Sequence, residues 1–335
     1  MDNAKLFKMH TGVKLCAVVK ADAYGHGAEE TVNALSSVAD CFAVSLLSEA
    51  IALRGVALGK EILILTPPTS IEEILCCAKN GFSFTVPSYA VAELVLKTVR
   101  AHQVCVQVHL KANIGMNRYG ANASWLGRIC TLLQTEKRVR VQGFYSHLYT
   151  LDQASALRAR EKFVQMQQVV LRYYPNAVCH LSATHGACLG KDFAFDMVRI
   201  GLGLYGYLPS EAFQDKFPLK KAMQAYAPVT ATRRYGFGGG GYGEETIHLA
   251  KGAPMHVLRF GYADGFLRTN HVALLEEEQI SPLCMDASVR GGTAEFGKWR
   301  CVFDDAQKVA KQTGTIAYEV LCALGRRAER IYENE

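Results

Sequence analysis

The stretch KLCAVVKADAYGHG, residues 14 to 27, contains five consecutive apolar residues, Leu15 to Val19, followed directly by Lys20. A short apolar run with polar residues on both sides is typical of a buried strand. Lys20 is then the first side chain after the C-terminal end of that strand. A buried strand rarely ends on a lysine without a use for it, so Lys20 is the first candidate for a functional residue.

Seven further apolar runs follow the first at regular intervals: CFAVSL (41–46), EILIL (61–65), FSFTV (82–86), VCVQVHL (104–110), VRVQGFY (139–145), AVCHLS (177–182) and MVRIGLGLYG (197–206). Most are separated by segments with helical periodicity, such as residues 48–56, 89–99 and 155–174. Eight alternating strand and helix units in about 200 residues predict a closed (β/α)8 TIM barrel. An open, doubly wound sheet is the alternative that this pattern leaves.

Helical periodicity fades after about residue 210, and Gly-rich turns and short β-like runs take its place. Examples are GFGGGGYG (236–243), which alone indicates only a flexible hairpin tip, and HVLRF (256–260). We therefore expect two domains, a barrel over residues 1–221 and a mostly β C-terminal domain over residues 222–335.

Composition excludes several classes of protein. Half of the 335 residues are apolar and a fifth are charged, as in ordinary globular chains. We find no apolar run of about 20 residues and no signal peptide, so we expect a cytoplasmic protein with no membrane contact. The 11 cysteines are odd in number and form no CxxC pair, which favours reduced thiols. The net charge of +6 is spread along the chain, which argues against nucleic-acid binding.

Polar residues follow the predicted strands at the end where TIM barrels carry their active sites. A lone lysine there is ordinarily a solvated charge, and a lone histidine is ordinarily a satisfied core residue. Several cations at one barrel mouth would, however, lower the pKa of a lysine and make it nucleophilic, which favours a Schiff-base lysine. The residues expected at this mouth are Lys20, Lys111, Arg118, His147, Thr184 and Arg199.

VVKADAYGHG, together with the later segments in their order, resembles the alanine racemase family of pyridoxal 5'-phosphate enzymes, from about residue 3 to the last residues. The resemblance implies that Lys20 is the cofactor-binding lysine and one catalytic base, and that Tyr24 contacts the cofactor phosphate. It also implies the barrel and the β domain, and it implies no metal.

Further segments resemble the family's cofactor contacts. LKANIGMNRYG supplies Arg118, which steadies the cofactor's phenolic oxygen and binds substrate, and Lys111, which some members carry as a carbamate. His180 falls where the family has a histidine that supports the ring arginine. The remaining implied contacts are His147 beside the ring, Arg199 at the pyridine nitrogen, and Thr184, Tyr318 and the backbone amides of Gly201 and Leu202 at the phosphate.

In the C-terminal domain, GGYGEE resembles the segment that carries the family's second base, here Tyr242. Tyr262 and Arg268 match entrance residues, and Met285 matches a residue that faces the substrate. In the family, the tyrosine reaches the other subunit's barrel. The resemblance therefore implies a head-to-tail homodimer.

The implied function is the interconversion of L-alanine and D-alanine, which would supply D-alanine for cell-wall peptidoglycan. Lys20 would act on the D enantiomer and Tyr242 on the L enantiomer. Alternatives are a serine or broader small-amino-acid racemase, and a cofactor-binding relative with little turnover. A cofactor-homeostasis protein would not need the second domain, and a decarboxylase would usually pair the ring nitrogen with a carboxylate rather than with Arg199.

This sequence departs from the family at a few places. It begins after the family's usual first strand, the segment between Met285 and Tyr318 is short, and the family's phosphate-turn asparagine is Ala183. We expect these differences to lower stability or alter dimerisation without removing either base.

Overall fold

The computed structural model describes residues 1–57, 59–236, 249–266, 273–275, 278–282 and 284–333. The chain divides into two compact units, one of residues 1–23 and 28–220, the other of residues 24–27 and 221–335. Across the described ranges, no helix combines the length and the apolar character needed to cross a membrane.

The first unit contains all eight predicted strands in one parallel sheet, in the order β7-β6-β5-β4-β3-β2-β1-β8. Backbone hydrogen bonds from Arg199 N to Ser182 O (2.9 Å) and from Asp196 N to Cys179 O (3.0 Å) join the two ends of this order. The predicted barrel is therefore confirmed, and the open sheet is wrong. The strands are β1 Lys14–Val18, β2 Cys41–Val44, β3 Ile62–Ile64, β4 Ser83–Val86, β5 Val106–Lys111, β6 Val139–Tyr145, β7 Val178–His180 and β8 Met197–Ile200.

The eighth predicted run is longer than the strand that it forms. Only Met197–Ile200 is extended, and Leu202–Tyr205 is a turn of 3-10 helix. Gly201 separates the two segments with φ −114° and ψ −93°, a conformation that ends the strand. The apolar character of the run therefore reports burial rather than continuous β structure.

Helices connect the strands, and four of them begin at a capping side chain that the sequence supplies. Ser70, Ser88, Asn122 and Asp152 each accept a hydrogen bond from a backbone N–H of the first turn. The helical segments of this unit are α1 Asp2–Thr11, α2 Lys20–Tyr24, α3 Ala28–Leu35, α4 Leu47–Leu53, α5 Ile71–Asn80, α6 Tyr89–His102, α7 Ala123–Leu133, α8 Gln153–Leu171 and α9 Thr184–Leu189.

The alternation of side chains along each strand divides the core into two regions. Phe144 of β6 faces the helices and stacks on Phe163 of α8, with ring centroids 5.0 Å apart. Tyr145, the next residue, faces the barrel interior, where its ring lies parallel to that of His180. The helix-facing region is apolar, and the interior carries polar groups.

The second unit is built on an antiparallel sheet in the order β11-β12-β13-β10-β9-β14. The predicted β character is present, and two helices follow the last strand. Asp305 caps the first of them by accepting hydrogen bonds from Gln307 N and Lys308 N. The elements are β9 Ala225–Arg234, β10 Pro254–Leu258, β11 Ala273–Leu275, β12 Glu278–Pro282, β13 Ser288–Gly291, β14 Trp299–Phe303, α10 Ala306–Thr313 and α11 Ala317–Leu324.

Candidate functional site

The barrel mouth brings together most of the charged residues that the sequence places at the strand ends. The positive charges of Arg199, Arg118 and Lys20 all act on Lys111. The same three charges, with that of Lys111, act on His147. Groups on four different strand ends therefore share one electropositive pocket, as the order of the strands predicts.

This environment sets the protonation of two groups at the mouth. Burial, followed by the charge of Arg199, lowers the pKa of Lys111 to about 7. Burial and the neighbouring cations lower the pKa of His147 to about 3. His147 is therefore a neutral ring at physiological pH, and a substantial fraction of Lys111 is an uncharged amine.

The segment after Lys20 is held in an unusual backbone conformation. Ala21, Asp22, Ala23 and Tyr24 all have φ between 52° and 54°, so α2 is a left-handed turn. Such a conformation costs about 1–2 kcal/mol for each residue other than glycine. Strain of this kind persists only where surrounding contacts enforce it, and it is concentrated at functional sites.

Glu49 supplies one of these contacts. Its Oε1 accepts a hydrogen bond from Ala21 N at 2.6 Å. Its Oε2 accepts from Ser45 N (2.8 Å) and Leu46 N (2.9 Å) before α4. One carboxylate therefore ties the left-handed turn after Lys20 to the loop after β2.

Replacing Glu49 with alanine is expected to lower the free energy of unfolding by about 2–4 kcal/mol, because three backbone N–H groups lose a charged acceptor. The rate of any reaction at Lys20 should also fall, since the turn is freed. Urea unfolding and steady-state kinetics check both effects. Glu49→Gln should be intermediate, and Glu93→Ala on the exposed face of α6 should change neither. Equal stability of the two alanine variants would contradict this role.

Arg199 is buried, and its two terminal nitrogens are fully used by protein acceptors. Nη1 donates to His180 Nδ1 (2.8 Å) and His180 O (3.1 Å), and Nη2 donates to Ser146 O (2.7 Å) and Leu181 O (3.0 Å). A guanidinium has five N–H groups, so these four bonds leave one. Nε–H donates to no described residue and is the donor that remains for a ligand.

Tyr145 lies beneath the cations of the mouth. Lys111 Nζ lies 4.4 Å from the centroid of its ring and Arg199 Cζ lies 5.0 Å from it, distances typical of cation–π contacts. Thr85 donates its hydroxyl proton to Ile64 O (3.0 Å), so Tyr145 must donate to Thr85 Oγ1 (2.7 Å). Burial raises the pKa of Tyr145 to about 12, which keeps this donor protonated.

Neighbouring segments after β7 and β8 present a set of hydrogen-bond donors. Thr184 Oγ1 accepts from Gly203 N at 3.1 Å, which leaves its hydroxyl proton available. Within the described chain, the N–H groups of Gly201 and Leu202 donate to no protein acceptor. A Cβ on Gly203 would lie 2.6 Å from Phe7 Cε2, so only glycine permits this close packing. Uncommitted backbone N–H groups beside a hydroxyl suit a phosphate.

The second unit brings together two further pairs of residues named by the sequence analysis. The rings of Tyr24 and Tyr318 lie 5.7 Å apart between centroids. Near Tyr262, Ala263 N donates to Met285 O at 2.8 Å, and Tyr262 N donates to Cys284 O at 3.3 Å. The entrance and substrate segments are therefore adjacent. Tyr242 and Arg268 lie outside the described residues.

Sequence reasoning missed Tyr145 and Glu49. The signal for Tyr145 is its position two residues before His147, because alternate residues at the end of a strand face the same side. No pattern in the sequence identifies Glu49, since its role depends on the position of Ala21 in three dimensions.

Comparisons with known proteins identify the same family for both parts of the chain. Residues 1–209 match the family described as alanine racemase, N-terminal domain, and residues 222–332 match alanine racemase, C-terminal domain. The alanine racemase of Synechocystis sp. is 32% identical, with 98% of this chain and 95% of that protein covered. The alanine racemase of Listeria innocua is 31% identical, with 98% and 93% covered. A solved structure of alanine racemase from Clostridium difficile 630 is similar with a TM-score of 0.89 at 27% identity, covering 99% of this chain and 92% of that one.

Proposed function

Because the chain belongs to the alanine racemase family and so interconverts L-alanine and D-alanine, we propose that Lys20 and Tyr242 are its two bases. We propose further that pyridoxal phosphate is held at the barrel mouth. One observation carries this proposal. Arg199 keeps one N–H, on Nε, that donates to no described residue, and it lies in a cluster of cations that includes Lys20.

Alanine racemases are enzymes that depend on pyridoxal phosphate, and the groups at the mouth fit that cofactor. Gly201 and Leu202 offer uncommitted backbone donors, and Thr184 offers a hydroxyl, for the phosphate. Neutral His147 can pack beside the ring without repelling the cationic neighbours. Lys20 is the attachment point. The assignment of Tyr24 and Tyr318 to the phosphate rests on the resemblance to the family.

When bound, pyridoxal phosphate supplies an electron-withdrawing ring that makes the Cα proton of an amino acid acidic. Arg199 would hold the ring nitrogen through its Nε–H. Because an arginine cannot readily give up a proton, that nitrogen would stay unprotonated, which would favour return of the proton to Cα.

Racemisation requires one base on each face of Cα. Lys20 removes and returns the proton of D-alanine. Tyr242 does the same for L-alanine from the opposite face. Arg118, which is exposed in the loop after β5, interacts with the cofactor's phenolic oxygen and with substrate. From the resemblance to the family, Met285 would face the substrate methyl group and favour alanine, with serine as the competitor because an apolar pocket excludes a hydroxyl only weakly.

The two bases belong to different subunits in a head-to-tail homodimer. Mixing Lys20→Ala protein with Tyr242→Phe protein tests this arrangement, because exchange of subunits forms one site with both bases intact. Activity well above that of either variant supports the dimer with composite sites. A mixture no more active than its parts contradicts it.

Lys111 is a candidate for carbamate formation, because only the uncharged amine reacts with carbon dioxide and its pKa is about 7. Protein purified with ¹³C-bicarbonate should show a carbamate carbonyl signal that is lost in Lys111→Ala. The signal should weaken as pH falls below about 7, since protonation removes the reactive amine. A wild-type spectrum without the signal above that pH would contradict the assignment.

The proposed function is tested with purified protein, pyridoxal phosphate and each enantiomer of alanine. We expect D-alanine to form from L-alanine and the reverse, and serine to react more slowly. Bound cofactor without formation of D-alanine would instead identify a binding protein with little turnover. Faster reaction of serine would identify a serine racemase.

A further inference from the structure

A series of hydrogen bonds extends inward from Arg199 through three side chains, His180, His109 and Glu61. His180 Nδ1 lies 2.8 Å from Arg199 Nη1, and His180 Nε2 lies 2.9 Å from His109 Nδ1. His109 Nε2 lies 2.9 Å from Glu61 Oε1. The series therefore ends in a carboxylate.

The donor at the first position fixes the direction of the whole series. A guanidinium only donates, so His180 Nδ1 must accept and the proton of a neutral His180 must lie on Nε2. That N–H then donates to His109 Nδ1, and the proton of His109 lies on Nε2, where it donates to Glu61. The reverse direction would place two N–H groups against each other, 2.8 Å apart, between His180 and Arg199.

We infer that Glu61 is a positioning residue, which terminates this series and thereby fixes His180 and His109 as neutral Nε2–H tautomers that hold Arg199 in place. The inference rests on the proposed function only in assigning Arg199 to the cofactor ring. The tautomers follow from the contacts themselves.

The surroundings of the series support this direction. Burial lowers the pKa of His180 well below its ordinary value, and the charge of Arg199 lowers it further, so this ring stays neutral. Burial is the largest single effect on the pKa of Glu61 and raises it, but the interactions with His109, Ser83 and Lys14 together outweigh burial, so the pKa of Glu61 lies below its usual range. Glu61 is thus an ionised acceptor at neutral pH.

The series crosses the barrel from the mouth toward the opposite end. Glu61 directly precedes β3, so it lies at the N-terminal edge of the sheet, and its side chain is 29% exposed against 2% for His109. Gly143 of β6 leaves room for the His109 ring, because a Cβ at residue 143 would lie 2.4 Å from His109 Nδ1. A partly exposed carboxylate therefore anchors a buried series that reaches the proposed cofactor site.

Removing the carboxylate should disorder the series back to Arg199. Without an acceptor, His109 Nε2–H is buried and unpaired, so the preference of this ring for the Nε2–H tautomer weakens. In the molecules where His109 carries its proton on Nδ1, His180 must accept at Nε2 and carry its own proton on Nδ1, against Arg199 Nη1. The hydrogen bond from Arg199 to His180 is lost in those molecules, and Nε is no longer held in one position.

The test is the ¹⁵N NMR spectrum of the histidine rings in wild type, Glu61→Leu and Glu61→Gln, each with and without pyridoxal phosphate. His109→Asn and His180→Asn assign the signals. In wild type, both rings should show a protonated Nε2 and an unprotonated Nδ1. Glu61→Gln should keep this pattern, because its amide oxygen still accepts. Glu61→Leu should show His109 divided between Nε2 and Nδ1 protonation.

Kinetics provide a second measurement on the cofactor-loaded protein. Glu61→Leu should lower kcat about tenfold, the lower end of the ~10–100-fold losses caused by removing outer partners of metal-binding histidines. Glu61→Gln should restore most of the rate, and Glu93→Leu on α6 should leave it unchanged.

The outcomes separate the inference from the proposed function. Protonated Nδ1 on either ring in wild type would overturn the inference, as would an unchanged tautomer pattern in Glu61→Leu. Since the wild-type spectrum alone can do so, a poorly folded variant does not remove the test. The predicted tautomers in a wild-type protein that racemises nothing would support the role of Glu61 and refute the proposed bases.

Discussion

Replacing Lys20 with alanine is expected to lower the rate of alanine racemisation about 10³-fold or more, because the change removes a general base and the cofactor's attachment point. Lys20 lies at the C-terminal end of β1, held by the left-handed turn that follows it. No other lysine on this strand can replace it. A coupled assay for D-alanine measures the loss.

Lys14→Ala is the matched control, because Lys14 begins the same strand at its opposite end and its side chain is exposed. It should racemise alanine at the wild-type rate. Borohydride reduction followed by peptide mass spectrometry should locate the cofactor on the peptide that contains Lys20 in wild type and in Lys14→Ala. Cofactor attached elsewhere, or a Lys20→Ala protein that keeps a tenth of the activity, would refute the assignment.

Replacing Arg199 with alanine should have the second largest effect, on stability as well as on rate. The change leaves four acceptors without their donor, namely His180 Nδ1 and the carbonyl oxygens of His180, Ser146 and Leu181. Each unsatisfied buried group costs about 1–3 kcal/mol, and partial hydration reduces the sum. We expect the free energy of unfolding to fall by about 3–5 kcal/mol, which is less than the sum over four such groups.

Arg199→Lys separates charge from geometry. A lysine keeps the positive charge but has three N–H groups on one nitrogen, so it cannot satisfy four acceptors and also donate outward. Its stability should lie between those of wild type and Arg199→Ala, and its racemase rate should still be well below wild type. Urea unfolding without cofactor and steady-state kinetics with cofactor check these expectations. A lysine variant with wild-type kinetics would show that charge alone suffices.

The barrel is predictable from the sequence because its strands form short, largely buried runs between segments with helical periodicity. The ends of the runs FSFTV and VRVQGFY agree with the strands to within one residue. The run MVRIGLGLYG is less predictable, since apolar residues continue past Gly201 into a 3-10 turn. For this run the sequence predicts burial, but it does not predict the backbone conformation. The helices α10 and α11 likewise lie in a domain for which mostly β structure is expected.

The candidate site is predictable where it depends on strand ends and not where it depends on contacts between strands. Lys111 and His147 share the mouth with Lys20, as parallel strands require. Glu61 and Glu49 carry no such signal. Each acts on a group far away in the chain, His109 in one case and Ala21 in the other, and only the closed barrel brings them together.

The central claim, that two bases act on opposite faces of Cα, is tested most directly by solvent deuterium exchange at Cα, followed by NMR. The substrates are L-alanine and, separately, D-alanine, with wild type and Tyr242→Phe as the proteins. The account predicts that wild type exchanges and inverts both enantiomers, whereas Tyr242→Phe loses exchange mainly with L-alanine. Equal loss with both enantiomers, or no exchange by wild type with cofactor bound at Lys20, would contradict the account.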